Sequence, residues 1–145
     1  MKVVLQRVLS ASVSVEGSII GKIGPGYLLL VGLADGDDEA TVRRLATEVS
    51  KARLMSDAHG KMGINLRDAG GQALAVSQFT LLADFSKGNR PSFHAAAKPE
   101  IARPLFDLFV KELSGLLGQP VPTGVFGADM RVELVNDGPV TVVLE

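Results

Sequence analysis

Two short stretches of this chain carry residues whose types and spacing suit acyl chemistry. In Ser77-Gln78-Phe79-Thr80-Leu81, two hydroxyls three residues apart flank an amide and an aromatic ring at the end of an apolar run. A strand ending there can present hydroxyls and free backbone N–H groups to a carbonyl, as an oxyanion site requires. Ser and Thr at strand ends also bond to neighbouring backbone, so the stretch by itself leaves both readings open. The second stretch, Asn136-Asp137-Gly138-Pro139-Val140-Thr141, has the composition of a tight turn between strands. The peptide before its proline can be trans or cis.

Other chemical signatures fail. Gly17-Ser18-Ile19-Ile20-Gly21-Lys22 is one residue short of a phosphate-binding loop and is followed by Ile23, so it reads as a β-turn. No nucleophile elbow, zinc-protease helix or dinucleotide glycine fingerprint is present. The absence of cysteine excludes disulfides, thiolate zinc sites, iron–sulfur clusters and a cysteine nucleophile, and suits a reducing compartment. The two histidines are far apart, and His59 reads as a loop residue; no metal and no cofactor are expected.

These stretches must be positioned by a single domain spanning residues 1–145. With 15 Lys and Arg against 16 Asp and Glu, the net charge of −1 argues against a surface-wide field for nucleic acid and against DNA as a partner. Mean hydropathy is +0.25, yet the uncharged run Ile23–Ala34 is too short for a spanning helix of roughly 20 residues and is interrupted by glycines and a proline. Gln6 and Arg7 fall where a signal peptide needs apolar residues, so no membrane partner and a cytoplasmic location are expected.

Residues 2–33 read as a β-meander, with turns at Gly17-Ser18 and Gly24-Pro25-Gly26. Asp35 to Asp38 supply caps for a helix carrying Val42, Leu45, Ala46, Val49 and Ala52 on one face. Residues 56–71 read as a loop or loose hairpin, and Ala73–Phe79 as a strand. Pro99 suits a helix start, Ile101 to Leu117 continue an apolar stripe, and Gly118 and Pro120 end it, with Pro104 expected to delay or kink the first turns. Met130–Val135 and Val140–Leu144 read as two further strands separated by Asn136–Pro139. The sum is an α+β domain, a mostly antiparallel, barrel-like sheet with two covering helices.

Taken together, Ser77-Gln78-Phe79-Thr80 and Gly138-Pro139-Val140-Thr141 resemble the two signature motifs of D-aminoacyl-tRNA deacylases, which hydrolyse D-amino acids from mischarged tRNA. The resemblance continues through Gln6-Arg7-Val8, Gly60-Lys61-Met62, Lys87 to Phe93 and Thr123 to Met130, in order along essentially the whole chain. Arg53-Leu54-Met55 and Gly63-Ile64-Asn65-Leu66 depart from the family pattern outside both motifs, which bears on local loop detail.

The resemblance implies hydrolysis of the D-aminoacyl ester, and of achiral glycyl esters, with release of free tRNA. Ser77, Gln78, Phe79 and Thr80 would be the catalytic residues, with backbone N–H groups around Phe79 and the Gln78 region forming the oxyanion hole. Thr80 would be the nucleophile, or the terminal ribose 2′-hydroxyl would assist instead. A threonine nucleophile needs a nearby base, and no histidine or lysine adjoins Thr80 in the sequence. Gly138-Pro139 would be a cis dipeptide inserted into the pocket of the other subunit of a homodimer, rejecting L side chains by collision. Arg7 either supports that turn or is an ordinary surface charge. Lys87, Arg90 and Lys98, with Arg103, face only Glu100 in charge between Ser86 and Arg103, a local excess suited to acceptor-end phosphates; His94 lies among them. The competing readings are a non-hydrolytic acceptor-end binding module of the same fold and a deacylase for mischarged L-amino acids. Both intact motifs speak against each.

Overall fold

In chain order the elements are β1 (Lys2–Val15), β2 (Ser18–Ile23), β3 (Gly26–Gly32), α1 (Glu39–Lys51), β4 (Met55–Ser56), β5 (Met62–Ile64), β6 (Gln72–Ser77), a 3-10 turn (Phe79–Leu82), α2 (Pro99–Leu117) and β7 (Arg131–Leu144). They are taken from a computed structural model that describes residues 1–145. Alternating burial runs along β1, and that strand organises the sheet. β7 pairs antiparallel with β1 along one edge; β2 and then β3 occupy the other. β6 lies parallel to β3, with Gly26 opposite Gln72 and Val31 opposite Ser77. The parallel pair is the exception in an otherwise antiparallel sheet, and α1 with the β4–β5 hairpin supplies the long crossover that such a pair needs. The α+β class and the two helices stand as expected; the meander expected over residues 2–33 does not, because β2 and β3 both pair with the long β1 and not with each other.

The period-two alternation of the strands divides the core. Tyr27, Leu29 and Val31 of β3 face Val42, Leu45 and Val49 of α1 and Phe106, Phe109 and Leu113 of α2. Leu28 of β3 and Leu74 and Val76 of β6 turn the other way, onto Val8, Ala11 and Val13 of β1. The sheet therefore has two buried faces, one under the helices and one inside its own curl. The Asp38 side chain caps α1 by accepting from the Thr41 N–H at 2.9 Å, which holds its carboxyl below the usual carboxylate range. No helix is long and apolar enough to cross a membrane.

Three local expectations are corrected. Pro104 does not delay α2, which begins at Pro99; the bond that Pro104 cannot donate would go to the carbonyl of Glu100, an exposed residue. The strand expected over Ala73–Phe79 stops at Ser77, because Gln78 donates the last rung to the Val31 carbonyl at 2.8 Å and Phe79 opens the 3-10 turn. Asn136–Pro139 does not separate two strands. β7 is one strand paired with β1 on both sides of it, from Val135 opposite Ser10 to Thr141 opposite Gln6. β1 advances four residues across that interval while β7 uses six, so the surplus of two is extruded as a bulge. Turn residues mark a bulge as readily as a turn.

Tyr27 is fully buried, and its hydroxyl donates to the Ala52 carbonyl just beyond α1 at 3.1 Å. Tyr27→Phe is expected to cost about 1 kcal/mol in urea denaturation at neutral pH. Burial pushes the phenol above its ordinary value, so its contribution is complete below about pH 10 and lost as pH rises further. The stability curve of Tyr27→Phe should accordingly lose part of its alkaline decline.

Candidate active site

The Ser77–Thr80 stretch sits where β6 gives way to the 3-10 turn. Leu81 N–H donates to the Gln78 carbonyl and Ala83 N–H to the Thr80 carbonyl. The leading amides of such a turn have no partner within it, and these belong to Phe79 and Thr80. Gln78 does not join them, since its amide is taken by Val31; the expectation of a donor at Gln78 therefore moves one residue on. The Gln78 side chain instead donates from Nε2 to Thr80 Oγ1.

That closeness to β3 depends on Gly32. A methyl group there would lie 2.9 Å from the Gln78 carbonyl oxygen and 2.7 Å from Leu82 Cδ2, so the turn rests directly on the strand backbone. Ser77, Gln78 and Phe79 form one wall of a cavity of about 560 Å³. The opposing walls come from Phe93, from Lys98 and Ala102 at the start of α2, and from Phe126 to Met130. Phe93 meets the Phe79 ring edge-on, with centroids 5.0 Å apart. The cavity is apolar and aromatic except for the Ser77 and Gln78 groups and the Lys98 side chain at its wall. Thr80 is exposed, does not line the cavity, and takes its side-chain hydrogen bond from Gln78 rather than from any base.

The second motif lies elsewhere in the chain. The Gly138–Pro139 peptide is cis, and both residues are exposed in the β7 bulge. Arg7 is the one buried charged residue. Its Nε donates to the Asp137 carbonyl at 3.1 Å and its Nη1 to the Leu54 carbonyl at 2.8 Å, while Asp137 Oδ2 lies 3.4 Å from Nε. The turn-supporting alternative for Arg7 thus has a geometric basis. Asn136 closes the bulge by accepting from Val140 N–H at 2.9 Å and donating to Thr141 Oγ1. In pairing order β7 stands three strands from β6, and near its start it reaches the cavity at Val132. Gly138 and Pro139 line no part of the cavity beside Ser77.

Of the basic residues, Lys98 reaches the cavity wall, and Lys87 and Arg90 are exposed on a loop whose neck is closed by Asp84 and Ser92. The roles of Phe93, Phe126 and Met130 as walls have no separate signature in the sequence, although each falls in a string that carries the family resemblance. Gly32→Ala is expected to lift the 78–82 turn off β3 and to cost about 1–3 kcal/mol in urea denaturation. An unchanged midpoint would show that the turn is held otherwise.

Comparison with known proteins matches residues 4–145 to the family described as D-Tyr-tRNA(Tyr) deacylase. The chain is 54% identical to the D-aminoacyl-tRNA deacylase of Dechloromonas aromatica (strain RCB), covering all of this chain and 97% of that protein. It is 57% identical, with the same coverage, to the D-aminoacyl-tRNA deacylase of Chromobacterium violaceum. Among solved structures it superposes on the c-Myc DNA Unwinding Element Binding Protein with a TM-score of 0.93 at 37% identity, covering 100% of this chain and 98% of that one. A probable eukaryotic D-amino acid tRNA deacylase shares the fold, with a TM-score of 0.84 at 18% identity over 99% of this chain and 97% of that one.

Proposed function

The chain belongs to the D-Tyr-tRNA(Tyr) deacylase family and has D-aminoacyl-tRNA deacylase activity; from that premise we propose that the Phe79 and Thr80 amides polarise the ester carbonyl and that a second copy of the chain supplies the chiral gate. The ester joins an amino acid to the terminal ribose of tRNA. Attack by water turns its carbonyl oxygen into an oxyanion, and two preorganised N–H groups facing that oxygen stabilise the charge as it develops. Loss of one such donor in comparable sites costs roughly 3–4 kcal/mol.

Thr80 is an unsuitable nucleophile in this reading. Its hydroxyl is bound to an amide, which cannot take its proton. The substrate's own 2′-hydroxyl, adjacent to the ester, is the better placed group to assist water. Holding the acyl-adenosine end rigidly in the apolar cavity then supplies most of the remaining rate enhancement.

Selection between enantiomers rests on the Gly138–Pro139 bulge. The observation that carries the proposal is that this exposed dipeptide lines no part of the cavity of its own chain, so in this reading it enters the cavity of a partner. β7 supports such pairing. It has β1 as its one neighbour and exposes Val135 and Val143, apolar side chains on an edge strand of the kind that natural proteins cover. Inserted carbonyls would hold the substrate amine, and an L side chain would collide with the proline ring. Glycine has no side chain to collide, so glycyl-tRNA is also a substrate. Lys98 at the cavity wall and Lys87 and Arg90 on the loop beside it would hold acceptor-end phosphates. In this reading the enzyme works in the cytoplasm.

Hydrolysis of D- and L-tyrosyl-tRNA tests the gate. Pro139→Ala is expected to lower the D-over-L rate ratio at least tenfold, and an unchanged ratio would remove Pro139 from the account. Thr80→Ala is expected to retain activity within about tenfold, whereas a loss near that of a covalent nucleophile, about 10⁴-fold or more, would make its hydroxyl the attacking group.

A further inference from the structure

Beside the cavity, the chain leaves the 3-10 turn and forms a loop from Asp84 to Ser92. Its neck is closed by two reciprocal backbone hydrogen bonds of 2.8 Å each, Asp84 N–H to the Ser92 carbonyl and Ser92 N–H to the Asp84 carbonyl. Its tip carries Lys87 and Arg90. His94 lies just past the neck. Its Nδ1 is 2.9 Å from Ser92 Oγ, and its Nε2 faces Asp84 Oδ2 at 4.0 Å. Phe93, between them, lines the cavity, whereas Ser92 and His94 do not. The Ser92–His94–Asp84 cluster therefore has the membership of a nucleophilic triad but stands outside the place where the ester binds.

We propose that His94 is a positioning residue for tRNA, whose protonation neutralises Asp84 at the neck of the loop and strengthens the hold of Lys87 and Arg90 on acceptor-end phosphate. This rests on the RNA-binding reading of that loop given above. The physical problem is the carboxylate. Asp84 places a negative charge at the base of a loop that must receive phosphates, and the Ser86 N–H and hydroxyl keep it ionised by holding its carboxyl below the usual range. Neutral His94 satisfies Ser92 without cancelling that charge. The imidazolium keeps a hydrogen bond to Ser92, now as donor, and pairs with Asp84 as a cation.

Asp84 is the ionisable partner within 4.0 Å of the ring. The segments packed nearby carry Asp35, whose N–H donates to the Ala95 carbonyl, Lys98 at the start of α2, and Lys87 and Arg90 on the loop itself. The imidazole side chain is 69% exposed, so the effect has the size of a surface ion pair, a change of about two- to fivefold in tRNA affinity.

The test is the KM for D-tyrosyl-tRNA, with kcat measured alongside, from about pH 8 to about pH 6, the interval in which histidine changes charge. Wild-type KM is expected to fall about two- to fivefold across it at constant kcat. His94→Asn keeps an acceptor for Ser92 but cannot ionise; its KM should match wild type near pH 8 and stay flat. The chain has one other histidine, His59, on the distant β4–β5 hairpin, and His59→Asn should behave as wild type. A His94→Asn enzyme whose KM still falls with pH overturns the proposal, as does a wild-type KM that does not change. Lys87→Ala and Arg90→Ala are measured in parallel. A raised KM for them with a pH-independent role for His94 sinks this inference alone, while an unchanged KM sinks the loop reading and the inference with it.

Discussion

A guanidinium taken out of water must find acceptors for its fixed fork of N–H groups, and Arg7 finds them in two stretches of backbone far from it in sequence. The Leu54 carbonyl ties it to the segment after α1, and the Asp137 carbonyl ties it to the bulge in β7. Gly138 fits beside this side chain because it has none of its own: a methyl group there would lie 3.2 Å from Arg7 Nη2 and 2.7 Å from Val140 Cγ2. The bulge is thus not a slack excursion of the strand. A buried charge fixes its base, Asn136 closes its flank, and the exposed Gly138–Pro139 dipeptide is held out from the sheet.

This arrangement places the two motifs on different strands. A tight turn on β3 at Gly32 presents the Phe79 and Thr80 amides at one end of β6, and the bulge presents the dipeptide on the strand at the opposite side of the sheet. In the proposed dimer, a gate supplied by a partner works best when it is rigid. Rejection of an L side chain by collision is only as good as the stiffness of what it collides with.

How much of this is legible in the sequence depends on whether the signal is periodic or relational. The alternation in residues 2–33 and the stripe from Val42 to Val49 report burial directly, and strands and helix fall where they indicate. Gly118 ends α2 with φ +71°, as a glycine after an apolar stripe suggests. Asn136–Pro139 misleads because extra residues in a bulge and residues in a hairpin turn are chosen for the same backbone freedom; only the pairing of both flanks with β1 tells them apart. Pro104 misleads because the cost of proline depends on whether the deprived carbonyl meets water. The Gln78 amide is lost to β3 through a parallel pairing that local sequence does not encode. The cavity walls at Phe93, Lys98 and Phe126 are likewise set by which loops the fold brings together.

The claim on which the account turns is that each cavity is completed by the other subunit. It is tested most directly by mixing two crippled chains. Pro139→Ala leaves the cavity intact and spoils the gate. Phe79→Pro leaves the gate intact and spoils the cavity, removing an oxyanion donor and the ring that packs on Phe93. In a randomly mixed dimer population, half the molecules pair one chain of each kind, and each of these holds one complete site. D-selective hydrolysis is therefore expected to recover to about a quarter of the wild-type level when the two are unfolded and refolded together. Recovery no greater than the sum of the two variants refolded separately would contradict a gate supplied across the dimer.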